Sequence, residues 1–327
     1  MYKSFFGLKS KPFRLNPHLR FLFNGEAMQR VVNTLKYGLY QREGLVLLTG
    51  APGSGKSLLI QNISRRLPDA GIQVHTLATP RADDLSLLRQ ICTAFGLDGD
   101  NASADPGQLL DKIQHHLTAE ARENHRLLLV IDEAHNLDDT ALEAVRLLSN
   151  LMFNGVPLLQ IFLVGQPALR ARLMQPRLDA LRQRILVTDH LENLSQEEVS
   201  PYILKRLQQA GWQGSIPFDA HAIERIHEAT HGNPRRVNIL CERLLTQAYV
   251  EDRKQVSAAD VDLILTDMAA EWQDDASVSA DAPPLDANGV QRLQALEKRL
   301  EALEASSSQI SQVAKTILVR LDNIRSA

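Results

Sequence analysis

Over the first 190 residues, short apolar runs alternate with segments whose apolar residues recur every three or four positions. Leu45-Val46-Leu47-Leu48-Thr49 and Arg126-Leu127-Leu128-Leu129-Val130-Ile131 have the length and continuous apolar character of strands buried on both faces. Residues 72–77, 158–164 and a short 185–188 read as further strands, with helices at about 26–40, 58–67, 85–95, 109–124 and 140–152. Strands alternating with helices predict an α/β fold, a doubly wound parallel sheet over residues 26–190. Ahead of it, residues 1–25 carry Phe5, Phe6, Phe13, Phe21 and Phe23 together with Pro12 and Pro17, the pattern of an irregular arm packed on the domain that follows. Past His190 the strands cease. Ser195-Gln196-Glu197-Glu198 is a capping-box start, and helices alone follow, predicting a small all-helical lid domain over 191–272. Residues 273–289 are acidic and rich in Ser, Ala and Pro, a flexible linker by composition. Beyond them Leu293, Leu296, Leu300, Leu303, Ser307, Ile310, Ala314, Ile317, Leu321 and Ile324 follow alternating steps of three and four. That seam predicts a coiled-coil tail at 290–327, with Ser307 and Ala314 weakening its middle; a single amphipathic helix folded onto the body has the same pattern.

Chemistry enters at the end of the first strand. Gly50-Ala51-Pro52-Gly53-Ser54-Gly55-Lys56-Ser57 satisfies G-x-x-x-x-G-K-[ST] between a strand and a helix that continues with Leu58. Glycines let backbone N–H groups approach phosphate oxygens, and the helix start adds the positive end of its dipole. Residues Gly50 to Leu58 are therefore the candidate nucleotide-binding loop. Lys56 is placed to neutralise the β- and γ-phosphates and Ser57 to ligate Mg²⁺. A glycine-rich turn without a ligand is the plain alternative, outweighed because every defined position matches in the right setting.

The third strand ends in Asp132-Glu133, an acidic pair of the Walker B kind. Asp132 is the candidate for the Mg²⁺ shell and Glu133 for polarising the attacking water. Asp132-Glu133-Ala134-His135 also spells DEAH, resembling a helicase motif. Such helicases need a second RecA-like domain, whereas helices alone follow here, so His135 reads as a loop residue near the site, with phosphate sensing as the alternative role. Gln166, after the fourth strand, is a candidate sensor of the γ-phosphate. Arg184, and secondly Arg182, precede the fifth strand, where an arginine could face a neighbouring subunit's nucleotide; a surface ion pair is the alternative. Arg235, with Arg236 behind it, opens a lid helix at Gly232-Asn233-Pro234 and could reach back to the phosphates.

Composition adds exclusions. A net charge of −3 disfavours a nucleic-acid-coating surface without forbidding local basic patches. Cys92 and Cys241 lie far apart in apolar helical patterns, outside any metal-ligand spacing, and read as buried thiols in a reducing compartment. No apolar run has membrane-spanning length, and the N-terminus lacks a signal-peptide core, so a cytoplasmic protein is expected, peripheral at the inner membrane only through a partner.

With these residues in place, the chain resembles the ExeA/GspA family of AAA+ ATPases over roughly residues 1–270. The particular signs are Tyr2-x-x-Phe5-Phe6-Gly7-Leu8-x-x-x-Pro12-Phe13, then Pro17 and Arg20-Phe21-Leu22. Asp132-Glu133-Ala134-His135-Asn136-Leu137, Gly165-Gln166-Pro167-x-Leu169 and Gly232-Asn233-Pro234-Arg235 fit as well. The resemblance implies ATP with Mg²⁺, a ring or filament of identical subunits, and service to an envelope machine: type II secretion, an MSHA-type pilus or an exopolysaccharide system. Secretion members continue into a transmembrane helix and a peptidoglycan-binding domain. The acidic linker and heptads here imply instead recruitment of a protein partner through the tail. The core is also similar to transposition ATPases of the TnsC/TniB kind, so the alternative expectation is a DNA-associated ATPase regulating a transposase.

Overall fold

The computed structural model describes residues 2–16, 18–42, 44–97, 104–214 and 216–280, with side chains to 269. In chain order the elements are α1 (Tyr2–Phe5), α2 (Glu26–Gln41), β1 (Leu45–Gly50), α3 (Lys56–Ser64), β2 (Ile72–Leu77), α4 (Asp84–Ala94), α5 (Pro106–Arg122) and β3 (Arg126–Ile131). There follow α6 (Asp139–Ser149), β4 (Met152–Phe153), β5 (Val156–Pro157), β6 (Leu159–Gly165), α7 (Pro167–Leu173), α8 (Asp179–Arg182) and β7 (Ile185–Leu191). Helices α9 (Gln196–Gln209), α10 (Ala220–Thr230), α11 (Pro234–Val250) and α12 (Ala258–Ala280) complete the described chain.

Five parallel strands form one sheet in the order β2-β3-β6-β1-β7. Alternation along each strand explains why the runs are continuously apolar. Leu45, Leu47, Leu127, Leu129, Ile131, Ile161 and Leu163 pack on one face with α4, α5 and α6. Val46, Leu48, Leu128, Val130, Phe162 and Val164 pack on the other with α2 and α3.

The expected strands and helices are present with small shifts at their ends. Strand β7 continues to Leu191, beyond the expected 188, because pairing with β1 carries through its polar residues. Helix α6 stops at Ser149 rather than near 152, since Asn154 and Gly155, at φ 50° and 79°, turn a two-residue hairpin between β4 and β5. The arm, expected to be irregular, contains α1 and a 3-10 turn at Leu19–Phe21, capped by the His18 ring accepting from the Arg20 N–H.

Residues Met1–Leu265 form one compact unit that includes the arm, the sheet and the lid helices. The described part of the second unit, from Thr266, is the remainder of α12, so helix extends past residue 273, where the linker was expected. The coiled-coil expectation at 290–327 lies outside the described residues. Among the described residues no helix is long and apolar enough to cross a membrane.

Candidate nucleotide site

Strand β6 lies between β1 and β3, so the phosphate loop and the acidic pair end on strands separated by one. The loop leaves β1 at Gly50 and turns through Gly53 (φ 80°) and Gly55 (φ 104°), conformations that disfavour L side chains. At two of the loop glycines a side chain would also collide. A Cβ on Gly53 would meet the Arg235 Cβ at 2.5 Å, and one on Gly50 would meet the Leu191 carbonyl at 2.9 Å.

Lys56 is buried, and its Nζ donates to the carbonyls of Gly50 and Ala51 at 2.9 and 3.0 Å. Burial pushes its ammonium below the ordinary lysine value, while Glu133 and Asp132 pull it back up. The Ser54 hydroxyl is buried without a hydrogen-bond partner among the described residues. Inward-turned glycines, an ammonium and an unpartnered hydroxyl fit a polyphosphate cradle. Ser57 is exposed at the start of α3 and Asp132 is buried, its Oδ1 accepting from the Glu133 N–H at 2.9 Å. Among the described residues no group of three or more His, Cys, Asp or Glu could hold a metal alone. A hydroxyl with one carboxylate suits Mg²⁺, which takes its other oxygens from phosphate and water.

Glu133 occupies the left-handed region at φ 51°, and its Oε2 lies 3.3 Å from Nδ1 of His135. Glu133 lines a cavity of about 510 Å³ together with residues 53–58 and Arg235. Gln166 stands at the N-cap position of α7, at the end of β6, without a side-chain capping bond, and Asp132 follows β3; neither lines that cavity. Arg182 and Arg184 lie at the opposite end of the sheet, because the Arg184 carbonyl accepts from the Leu45 N–H at the start of β1. Five residue steps along β1, roughly 16 Å, separate that point from Gly50. Neither arginine approaches its own chain's phosphate loop. Arg182 is paired with Asp179, and Arg184 is exposed.

Two positioning residues escaped the sequence reading of roles. Asn233 is buried at the start of α11, where its Oδ1 accepts from the N–H groups of Arg235 and Arg236 and its Nδ2 donates to the Pro52 carbonyl at 3.0 Å. It ties the lid helix to the loop and sets Arg235 beside Gly53. The Asn-Pro step before a helix was a visible signal for such a cap. Glu198 closes the capping box of α9 by accepting from the Ser195 N–H, and its other oxygen accepts from the Glu26 N–H at 2.7 Å. One carboxylate thus joins the starts of α2 and α9 at the cavity wall.

Residues 39–173 match the AAA domain family. Over 263 residues the chain is 36% identical to general secretion pathway protein A of Aeromonas hydrophila, covering 80% of this chain and 48% of that protein. The chain thus spans about half the length of that relative. In fold it is similar to the Aeropyrum pernix ORC2 protein in ADPNP-ADP complexes, with a TM-score of 0.56, 18% identity and coverage of 77% of this chain and 70% of that one. The Aeropyrum pernix ORC1 protein in complex with DNA gives a TM-score of 0.57 at 15% identity, covering 79% and 69%.

Proposed function

From its AAA domain and its relation to general secretion pathway protein A, we propose that the chain is an AAA+ ATPase of the ExeA/GspA type that hydrolyses ATP at the subunit interfaces of an oligomer and so drives or regulates assembly of an envelope machine. The observation that carries the reading is the convergence of Lys56, Ser57, Glu133 and Arg235 on one cavity beside a glycine loop that leaves little space for side chains.

In this reading the loop N–H groups and Lys56 hold the β- and γ-phosphates, and Ser57 and Asp132 hold Mg²⁺, which supplies charge neutralisation when bound. Glu133 accepts the proton of the water that attacks the γ-phosphorus, the bond to the β-phosphate oxygen breaks, and ADP and phosphate leave. Gln166 orients the γ-phosphate end. Arg235 reports nucleotide state to the lid. Arg184, with Arg182 as second candidate, acts on the nucleotide of a neighbouring subunit, consistent with its distance from its own loop. The tail recruits a partner at the cytoplasmic face of the inner membrane.

The test is the mass of the Glu133→Gln protein by light scattering, without nucleotide, with ATP, and with ATP plus duplex DNA. Assembly on ATP alone is expected. Assembly only with DNA would replace this reading by that of a DNA-associated ATPase.

A further inference from the structure

The far end of the nucleotide cavity is walled by the N-terminal arm, and the arm is fastened to the lid helices. The N–H groups of Lys9 and Ser10 donate to the Ala210 carbonyl at 2.7 and 3.2 Å, just past α9. Arg20 donates to the Gln209 side chain at 3.0 Å, and Tyr2 donates to Glu242 on α11 at 2.7 Å. Phe23 meets the Tyr202 ring edge-on at 5.7 Å. Leu15, Asn16 and Phe21 to Phe23 all line the cavity.

Arg206 of α9 sits where arm, lid and cavity meet. It is 8% exposed and lines the cavity. Its Nη1 donates to the Pro12 carbonyl at 2.9 Å, and its guanidinium carbon lies 5.3 Å from the Phe21 ring centre and 5.2 Å from that of Tyr202. Its Nε is buried without a hydrogen-bond partner among the described residues. Tyr202 in turn donates to Asn238 of α11 at 2.9 Å. A buried guanidinium held by two rings and a carbonyl is unusual for fastening a surface arm, since desolvating the charge is costly. Its position explains it: the same group that holds Pro12 and Phe21 also faces the space beyond the phosphate loop.

We propose that Arg206 is a positioning residue that fixes the arm as a lid-borne wall over the nucleoside end of the cavity, so that nucleotide occupancy and arm fastening form one equilibrium. The proposal rests on the ATP reading for its nucleotide half. Arg206→Met keeps most of the side-chain volume but removes the charge and the bond to Pro12. It should raise the KM for ATP by about tenfold with kcat within about twofold. Trypsin should cleave the arm at Lys9 and Arg14 faster than in the wild type, and ATP should slow that cleavage in the wild type but not in Arg206→Met. Arg206→Lys, which retains the charge over the rings, should fall between the two and guards against a simple folding defect. An unchanged KM, or a loss of kcat with KM unaltered, would overturn the proposal, as would an arm cleaved at the same rate in all three proteins. If the wild type neither bound nor hydrolysed ATP, the functional reading would fail alone, because cleavage without nucleotide still measures the fastening.

Discussion

Replacing Asn233 by alanine removes two separable interactions. The first is the helix cap, since Oδ1 accepts from the N–H groups of Arg235 and Arg236; a cap of this kind stabilises by about 1 kcal/mol. The second is donation by Nδ2, to the Pro52 carbonyl at 3.0 Å and more weakly to the Asn193 Oδ1 at 3.4 Å, worth together about another 1 kcal/mol. A total of about 2 kcal/mol should lower Tm by roughly 5 °C in a unit of this size. Loss of the tether alone, at about 1 kcal/mol, should loosen Arg235 from the loop and raise the KM for ATP about fivefold. Asn233→Asp divides the two effects: its carboxylate still caps the helix but cannot donate to Pro52. The aspartate variant should therefore keep most of the Tm while losing ATP affinity at least as much as the alanine variant. Differential scanning fluorimetry and steady-state ATPase kinetics read the two quantities. Equal Tm and equal KM in Asn233→Ala and the wild type would refute the reasoning.

Gly53→Ala should weaken nucleotide binding about tenfold or more, because the residue must keep φ 80° while its Cβ displaces Arg235; titration with a fluorescent ATP analogue measures this. Glu133→Gln should retain affinity while phosphate release falls at least about a hundredfold, whereas Lys56→Ala should lose binding itself. Arg184→Ala mixed with Glu133→Gln subunits should recover part of the activity if the arginine acts across an interface; no recovery in confirmed mixed assemblies would exclude that role. Arg253 holds the Asp260 carboxyl down to about 2, below its ordinary 3.8. The folded state is thus favoured above about pH 4 and loses that contribution as pH falls towards about 2. Asp260→Asn should flatten the dependence of Tm on pH across that window, and an unchanged slope would count against the pair.

The sheet and the phosphate loop were legible because both depend on local pattern. A strand buried on two faces must be continuously apolar, and a loop wrapped on phosphate must be glycine-rich, so β1, β3 and residues 50–57 announce themselves. Asn154-Gly155 was equally local, yet its hairpin was hidden by the apolar residues around it, which also continue the period of α6. What the pattern could not carry was pairing at long range. Glu198 reads as a capping-box residue, but its second bond to Glu26 joins positions 172 apart. Arg206 reads as one more charged residue on an amphipathic helix, and only the return of Pro12 and Phe21 to its side buries it. The same distinction explains the arginines before β7. Sequence marks them as candidates, the register of β7 with β1 removes them from their own phosphate loop, and a second subunit is then required for any role in phosphoryl transfer.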